Sequence, residues 1–246
     1  MTRPQLIVFA SGTAEGGGSG FENLVIHSRS YAERTPKNSM LSTGQARNDA
    51  ADTFDYDVAA VVSNHEHGGV RRRADQLDVP FIYFDPNSYP NVLENIRIRY
   101  AEIVHRAGAE WVALSGWLRK VEGLRPARTS NIHPALLSQL GGKFGGKGMY
   151  GHRIHEAVKA ALDAGEIIES GFTMHFVTDE MDRGPIFFER RVPLTKNMSA
   201  DDIATAVNKE EHRWQPKLTN MVVHGEIRWD GKDPRSLVVP KNLGID

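Results

Sequence analysis

The stretch Leu6-Ile7-Val8-Phe9-Ala10-Ser11-Gly12-Thr13-Ala14-Glu15-Gly16-Gly17-Gly18-Ser19-Gly20 joins a five-residue apolar run to a glycine loop, just ahead of a helical pattern that begins near Phe21. An apolar run without polar alternation predicts a strand buried on both faces. Further runs, Val58 to Val62, Phe81 to Phe84 and Trp111 to Leu114, alternate with helical spacing such as Val92/Leu93, Ile96, Tyr100, Ile103/Val104 and Ala107. That alternation predicts right-handed βαβ units around a parallel sheet, hence an α/β fold. Backbone amides exposed by glycine at a helix N-terminus attract anions, so the loop places an anion site at the carboxyl end of the first strand. No Gly-Lys-Ser/Thr closes the loop, which excludes a P-loop and leaves a plain surface turn as the alternative.

After Pro134 the pattern changes. A glycine- and lysine-rich stretch from Gly141 to Gly151 leads into a helix carrying Ile154, Ala157, Val158, Ala161 and Leu162, then two strands, Phe172 to Thr178 and Ile186 to Val192. Ser199, three residues before Asp202, starts a helix expected to reach about Trp214. Asp230-Gly231 predicts a terminal hairpin. With no repeat and no low-complexity linker, a single mixed-sheet domain over 1–246 is expected, a βαβ half with the anion-binding loop (1–130) followed by a half of different pattern (131–246).

Composition narrows the function. Thirty Lys plus Arg stand against 31 Asp plus Glu, a formal net charge of -1, which excludes a polybasic nucleic-acid binder and a highly charged disordered chain. The absence of cysteine excludes disulfides, thiolate catalysis and Cys-ligated zinc or iron–sulfur sites. The first apolar run is shorter than the ~7–15 residues of a signal-peptide core, and no stretch approaches the ~18 that span a bilayer. A cytoplasmic chain with no membrane or nucleic-acid partner is expected.

Three weaker signals have plain readings. Gly146-Lys147-Gly148-Met149-Tyr150-Gly151 satisfies G-x-G-x-x-G but follows no predicted strand, so it is read as a loop beside a site or at the surface. The pairs His65/His67 and His152/His155 lack a local third ligand, and no metal is expected. Arg71-Arg72-Arg73 reads as a solvated helix face, with phosphate contact as the lesser alternative.

The chemistry concentrates in Ser130-Asn131-Ile132-His133-Pro134 and in Met174-His175-Phe176-Val177-Thr178-Asp179-Glu180-Met181-Asp182-Arg183-Gly184-Pro185. Alternation along an extended segment sends Asn131 and His133 to one side, with Pro134 opening the next helix. The second segment reads as a strand running into an acidic turn closed by Gly-Pro. Polar residues satisfied at strand ends would have the same spacing.

At these residues the chain resembles the folate-dependent formyltransferases. Ser115-Gly116-Trp117-Leu118-Arg119 is similar to their A-G-[FY]-M-R, Asn131 to Pro134 to their N-I-H-P, and His175 to Pro185 to their H-x-V-T-x-x-[LM]-D-x-G-P; Asp201-Asp202-Ile203 through Asn208, Glu211 and His212 resembles their late helix. The resemblance covers roughly residues 5 to 230. It implies a Rossmann-like formyltransferase fold, a mixed but mostly parallel twisted sheet with helices on both faces.

It also implies a reaction in which a formyl group passes from 10-formyltetrahydrofolate, a co-substrate, to an amine. In the branch of closest resemblance that amine is glycinamide ribonucleotide, an intermediate of purine biosynthesis. Direct attack by a neutral amine needs no protein nucleophile, but it develops an oxyanion and an ammonium, which require hydrogen-bond donors and a proton path. By resemblance, Asn131 donates to the oxyanion, protonated His133 donates beside it as general acid, and Asp182 raises the His133 pKa and relays the amine's proton. Leu118, Arg119, Lys120 and Val121, with Asp179, Glu180 and Met181, are implied to hold the folate. Gly12, Thr13, Gly18, Ser19 and Gly20 are implied to hold the phosphate, and Asn208 and Glu211 to meet the rest of the ribonucleotide. A homodimer is left open.

Two departures stand out. The family's first loop is a compact G-x-G-S-N, enlarged here to Gly12 through Asn23, and the loop after N-I-H-P is longer and lacks Pro-Gly. They keep open formyl transfer to another amine, such as a nucleotide-linked amino sugar. From a different class, a non-catalytic folate-binding module is the further alternative.

Overall fold

The computed structural model describes residues 2–34, 53–88, 93–241 and 243. β1 (Gln5–Phe9) lies at the centre of the sheet, parallel to β2 (Asp57–Ser63) on one side and to β4 (Trp111–Ser115) on the other. Its side chains serve two cores: Leu6 and Val8 pack with one face, Ile7 and Phe9 with the other. That double burial is why its apolar run is unbroken. β3 (Phe81–Tyr83) continues the sheet beyond β2, and β5 (Thr129–His133) continues it beyond β4, both in parallel. β6 (Glu169–Phe176) and β7 (Ile186–Pro193) then add antiparallel. Among the described residues this makes one seven-stranded sheet, order β3-β2-β1-β4-β5-β6-β7, mixed and mostly parallel as the sequence leads one to expect.

Helices cover both faces. α1 (Ser19–Ile26), the short α2 (Arg29–Arg34), α3 (Gly69–Leu77), α5 (His152–Asp163) and α6 (Ala200–Val223) accompany one core, to which Phe21, Tyr31, Val70, Ile154 and Ile203 belong. α4 (Leu93–Arg106) covers the other through Ile96, Tyr100 and Ile103. Val92, the first residue of the helical pattern expected there, lies outside the described residues. The strand order reverses at β1, and such a switch point opens a crevice at the carboxyl ends of the strands. No helix of the described residues is long and apolar enough to cross a membrane.

Three elements differ from expectation. Pro134 opens no α-helix: turns follow it and end in a 3₁₀ turn, Gln139–Gly142, where Leu140 and Gly141 adopt left-handed φ of 46° and 67°. The terminal hairpin is reduced to one antiparallel bridge between Arg228 and Val238, because the Asp230 carboxylate accepts the amides of Lys232 and Asp233 and a 3₁₀ turn, Pro234–Ser236, follows.

The third is α6, which starts at the expected capping box of Ser199 and Asp202 but runs past Trp214 to Val223 with Pro216 inside it. Proline has no N–H, so the His212 carbonyl one turn earlier loses its helical donor. Asn23 of α1 supplies the replacement, its Nδ2 donating to that carbonyl at 2.6 Å. The proline therefore fixes α6 against the end of the first loop instead of ending the helix.

Candidate active site

Asn131 and His133 leave β5 on one side of the sheet, and antiparallel register sets Asn131 directly opposite His175 of β6. His175 Nδ1 donates to the Phe176 carbonyl at 2.8 Å, which fixes the tautomer and leaves Nε2 to accept from Asn131 Nδ2 at 3.1 Å. Beyond β6 the chain turns back through Gly184, whose Cβ, if it had one, would lie 1.8 Å from the Phe176 carbonyl oxygen. The Phe176 amide donates to the Pro185 carbonyl at 3.0 Å and closes the turn. Asp182, in this turn, takes a left-handed φ of 55°, a conformation aspartate tolerates better than most residues.

The turn delivers the Asp182 carboxylate to the centre of the site. Oδ1 lies 3.5 Å from Asn131 Nδ2 and 3.7 Å from His175 Nε2; Oδ2 lies 3.7 Å from His133 Nδ1 and accepts the Gly146 amide at 2.8 Å. Burial works to raise the Asp182 pKa, but His175, His133 and the Gly146 amide outweigh it and hold the carboxyl below its ordinary value. Asp182 is therefore ionised at neutral pH.

His133 departs from expectation. Its ring is 4% exposed, and its Nε2 donates to the Phe144 carbonyl at 2.7 Å. Burial lowers its pKa by more than Asp182 and the Phe144 carbonyl raise it, with His175 adding to the decrease. The resting imidazole is thus neutral, not protonated, and its one N–H is engaged by the loop that follows. The expected site residues omit His175 and Gly146; the His175-x-Val177-Thr178 pattern is the available signal for the first, and the reading of Gly146 to Gly151 as a loop beside a site is the signal for the second.

Asn131, His175 and Asp182 border a cavity of about 310 Å³. Leu118, Arg119, Lys120 and Val121 line it, as do Met181 and, from the glycine-rich loop, Met149 and Tyr150. Trp117, Val121 and Ile154 are buried apolar wall. Asp179 and Glu180 are not in the lining; both are exposed, the Glu180 carbonyl accepting from Thr178 Oγ1 at 3.1 Å. An apolar wall with carboxylate and amide groups at one end suits a flat heteroaromatic ligand whose reactive end is polar.

The first loop lies beside this cavity. The Ser11 amide donates to the Gly116 carbonyl at 2.9 Å, and Ser11 Oγ accepts the Leu118 amide at 2.9 Å. The loop folds on itself so closely that a Cβ on Gly17 would lie 2.4 Å from the Gly12 Cα, and Thr13 Oγ1 accepts the Gly16 amide at 2.9 Å. Gly18, with φ of 81°, precedes α1 and leaves its N-terminus without a side-chain cap, so the first-turn amides at Ser19 and Gly20 face outward along the helix axis. Arg71 and Arg72 are exposed and Arg73 is half-buried, so the solvated face expected of the run holds for the first two, but Arg72 and Arg73 also reach the first loop. Arg72 donates to the carbonyls of Ala14 (3.2 Å) and Glu15 (2.7 Å), and Arg73 donates to that of Gly17 (3.1 Å) and pairs with Glu22. Arg71 pairs with Asp75 at 3.0 Å.

α6 brings a further group to this end. His212 Nε2 lies 3.2 Å from Ser19 Oγ, and burial, then Arg73 and His27, lower the His212 pKa. Glu211 is buried and accepts Asn208 Nδ2 at 3.1 Å; burial, opposed by that hydrogen bond, pushes its pKa up to about 7. Neither histidine pair forms a metal centre: His152 is exposed near Glu156 and Asp201, His155 is buried with an unpartnered Nδ1, and no group of three or more His, Asp or Glu among the described residues is placed to hold an ion.

A switch-point cleft with an Asn–His–Asp cluster at its mouth defines the class. Residues 36–219 match the formyl transferase family, and the chain belongs to it. It is similar to the chloroplastic phosphoribosylglycinamide formyltransferases of Vigna unguiculata (32% identical over 232 residues, 92% of this chain and 63% of the relative) and Arabidopsis thaliana (32% over 178 residues, 70% and 58%). The chain thus spans about three fifths of the length of these plant relatives. Among solved structures, glycinamide ribonucleotide transformylase 1 from Symbiobacterium toebii superposes with a TM-score of 0.70, covering 92% of this chain and 90% of that one at 24% identity, and shares the fold.

Proposed function

We propose that the chain transfers a formyl group from 10-formyltetrahydrofolate to the amino group of glycinamide ribonucleotide, as a single cytoplasmic domain in which residues 1–130 hold the phosphate and 131–246 hold the folate and the catalytic groups. The observation that carries this reading is the convergence of Asn131, His175 and Asp182 on the mouth of the cavity lined by Leu118 to Val121. When bound, the folate supplies the formyl carbon that the amine attacks. Asn131 donates its Nδ2 hydrogen to the developing oxyanion, and His175 holds the amide in that orientation. His133, neutral at rest, gains proton affinity as negative charge appears beside it and then acts as the acid. Asp182 accepts the proton that the amine loses and passes it through water to His133, which delivers it to the folate nitrogen as that nitrogen's bond to the formyl carbon breaks and the folate leaves. The first-turn amides at Ser19 and Gly20 receive the phosphate, with Gly12, Thr13 and Gly18 shaping the loop, and Asn208 and Glu211 meet the ribonucleotide.

The test is formyl transfer to synthetic glycinamide ribonucleotide, followed spectroscopically with metal chelated. Transfer by the parent, reduced about 10²–10³-fold in a folded His133→Ala variant, supports the assignment. Undiminished transfer by the variant refutes the role of His133. No transfer by the parent with folate still bound moves the acceptor to a different amine.

A further inference from the structure

We infer that Tyr150, carried by the glycine-rich loop before α5, holds the aryl ring of the formyl donor and is a specificity-determining residue of this chain; the inference rests on the folate reading above. Large apolar side chains open to solvent gather at the mouth of the catalytic cavity. Leu118 (41% exposed), Tyr150 (42%) and Met181 (38%) all line it. They come from three separate segments: the stretch after β4, the loop before α5, and the turn that carries Asp182. Deeper in the same wall, Trp117, Val121 and Ile154 are already buried by the protein itself. Apolar groups left exposed together around a concave surface mark a place that a ligand covers.

The loop is built to present Tyr150 there. The Met149 amide donates to the Gly146 carbonyl at 3.1 Å, and Met149 packs against the core, while the next side chain, Tyr150, stays exposed at the cavity. Gly148, at φ of 92°, supplies the left-handed step that lets the chain make this turn. From the first turn of α5, Arg153 sets its Cζ 5.2 Å from the Tyr150 ring centroid, a cation–π contact that restrains the ring. This loop is also one of the two stretches in which the sequence departs from the formyltransferase pattern, so a contact made by Tyr150 is particular to this chain.

The chemistry of the donor selects the part that Tyr150 meets. The nitrogen bearing the formyl group is bonded directly to an aryl ring and, through a methylene, to the pterin. A formyl group at Asn131 therefore brings both rings into this one cavity. The pterin has hydrogen-bonding edges that half-exposed apolar side chains cannot satisfy. The aryl ring has two apolar faces, which Leu118, Met181 and the Tyr150 ring can cover.

Binding of the stable dideaza analogue of the donor tests this, measured by titration calorimetry on the whole chain beside an NMR titration with the bicyclic fragment of that analogue, which has no aryl ring. Tyr150→Ala is expected to weaken the analogue about tenfold and leave the fragment unchanged. Tyr150→Phe is expected to keep the parent's affinity, and Arg153→Gln to weaken the analogue about threefold through the loosened ring. Thermal unfolding at the parent's temperature confirms that the variants are folded, as the exposure of both positions leads one to expect. Undiminished binding of the analogue by Tyr150→Ala, or an equal loss for the fragment, overturns the inference and leaves the folate reading intact. No binding of the analogue by the parent overturns both.

Discussion

Replacing Glu211 by Gln should make the protein more stable at high pH and leave it unchanged at low pH. The carboxyl is buried in α6 with Asn208 as its hydrogen-bond partner, and its pKa rises from 4.5 to about 7. Between those values the folded protein keeps a proton that the unfolded chain has released, so parent stability falls as pH rises through this window and levels off above about 7. The difference of about 2.5 pH units, at about 1.36 kcal/mol each, amounts to about 3 kcal/mol. Gln cannot ionise, is nearly isosteric, and still accepts from Asn208 Nδ2. Urea denaturation of parent and Glu211→Gln from pH 4.5 to 8.5 should give curves that coincide at the acid end and diverge to about 3 kcal/mol above pH 7. Parallel curves would refute the buried-carboxyl argument. The same variant should raise KM for the ribonucleotide, gaining stability where it loses binding.

Asp182→Asn removes the group that partly offsets the effect of burial on His133, so the alkaline limb of the pH–rate profile should move to lower pH and turnover at pH 8 should fall by about 10²-fold or more; an unshifted profile contradicts the pairing. Gly184→Ala would drive a Cβ into the Phe176 carbonyl, displacing the turn that carries Asp182, and should destabilise by about 1–3 kcal/mol in denaturation with turnover lost. Ser199→Ala removes the hydroxyl that accepts the Asp202 amide while leaving the residue-199 amide to the Asp202 carboxylate, and chemical denaturation should show a loss of about 0.5–2 kcal/mol with turnover retained.

The central strands were readable because burial on both faces leaves an uninterrupted apolar run, as in Leu6 to Ala10. The start of α6 was readable because Ser199 and Asp202 act locally. Its true length was not: Pro216 reads as a terminator, and only the distant Asn23 makes it tolerable. In the site, period-two alternation placed Asn131 and His133 on one side. The neutral state of His133 depends on burial, and its N–H is engaged by the Phe144 carbonyl, which arrives through the left-handed turn at Leu140 and Gly141, a path no local pattern specifies. Three consecutive arginines on a helix point in different directions, so composition could not reveal that Arg72 and Arg73 reach across to the carbonyls of the first loop.

The bond from Asn23 to the His212 carbonyl bears on how the chain assembles. A helix interrupted by proline is a poor autonomous unit, and the middle turn of α6 acquires its full set of donors only when α1 is already beside it. The N-terminal and C-terminal halves are then partners in one cooperative transition: cut after residue 130, the fragment containing α6 should remain loosely ordered until the complementary fragment is added. Docking of α1 at the end of the first loop and stability of α6 are, on this account, the same event.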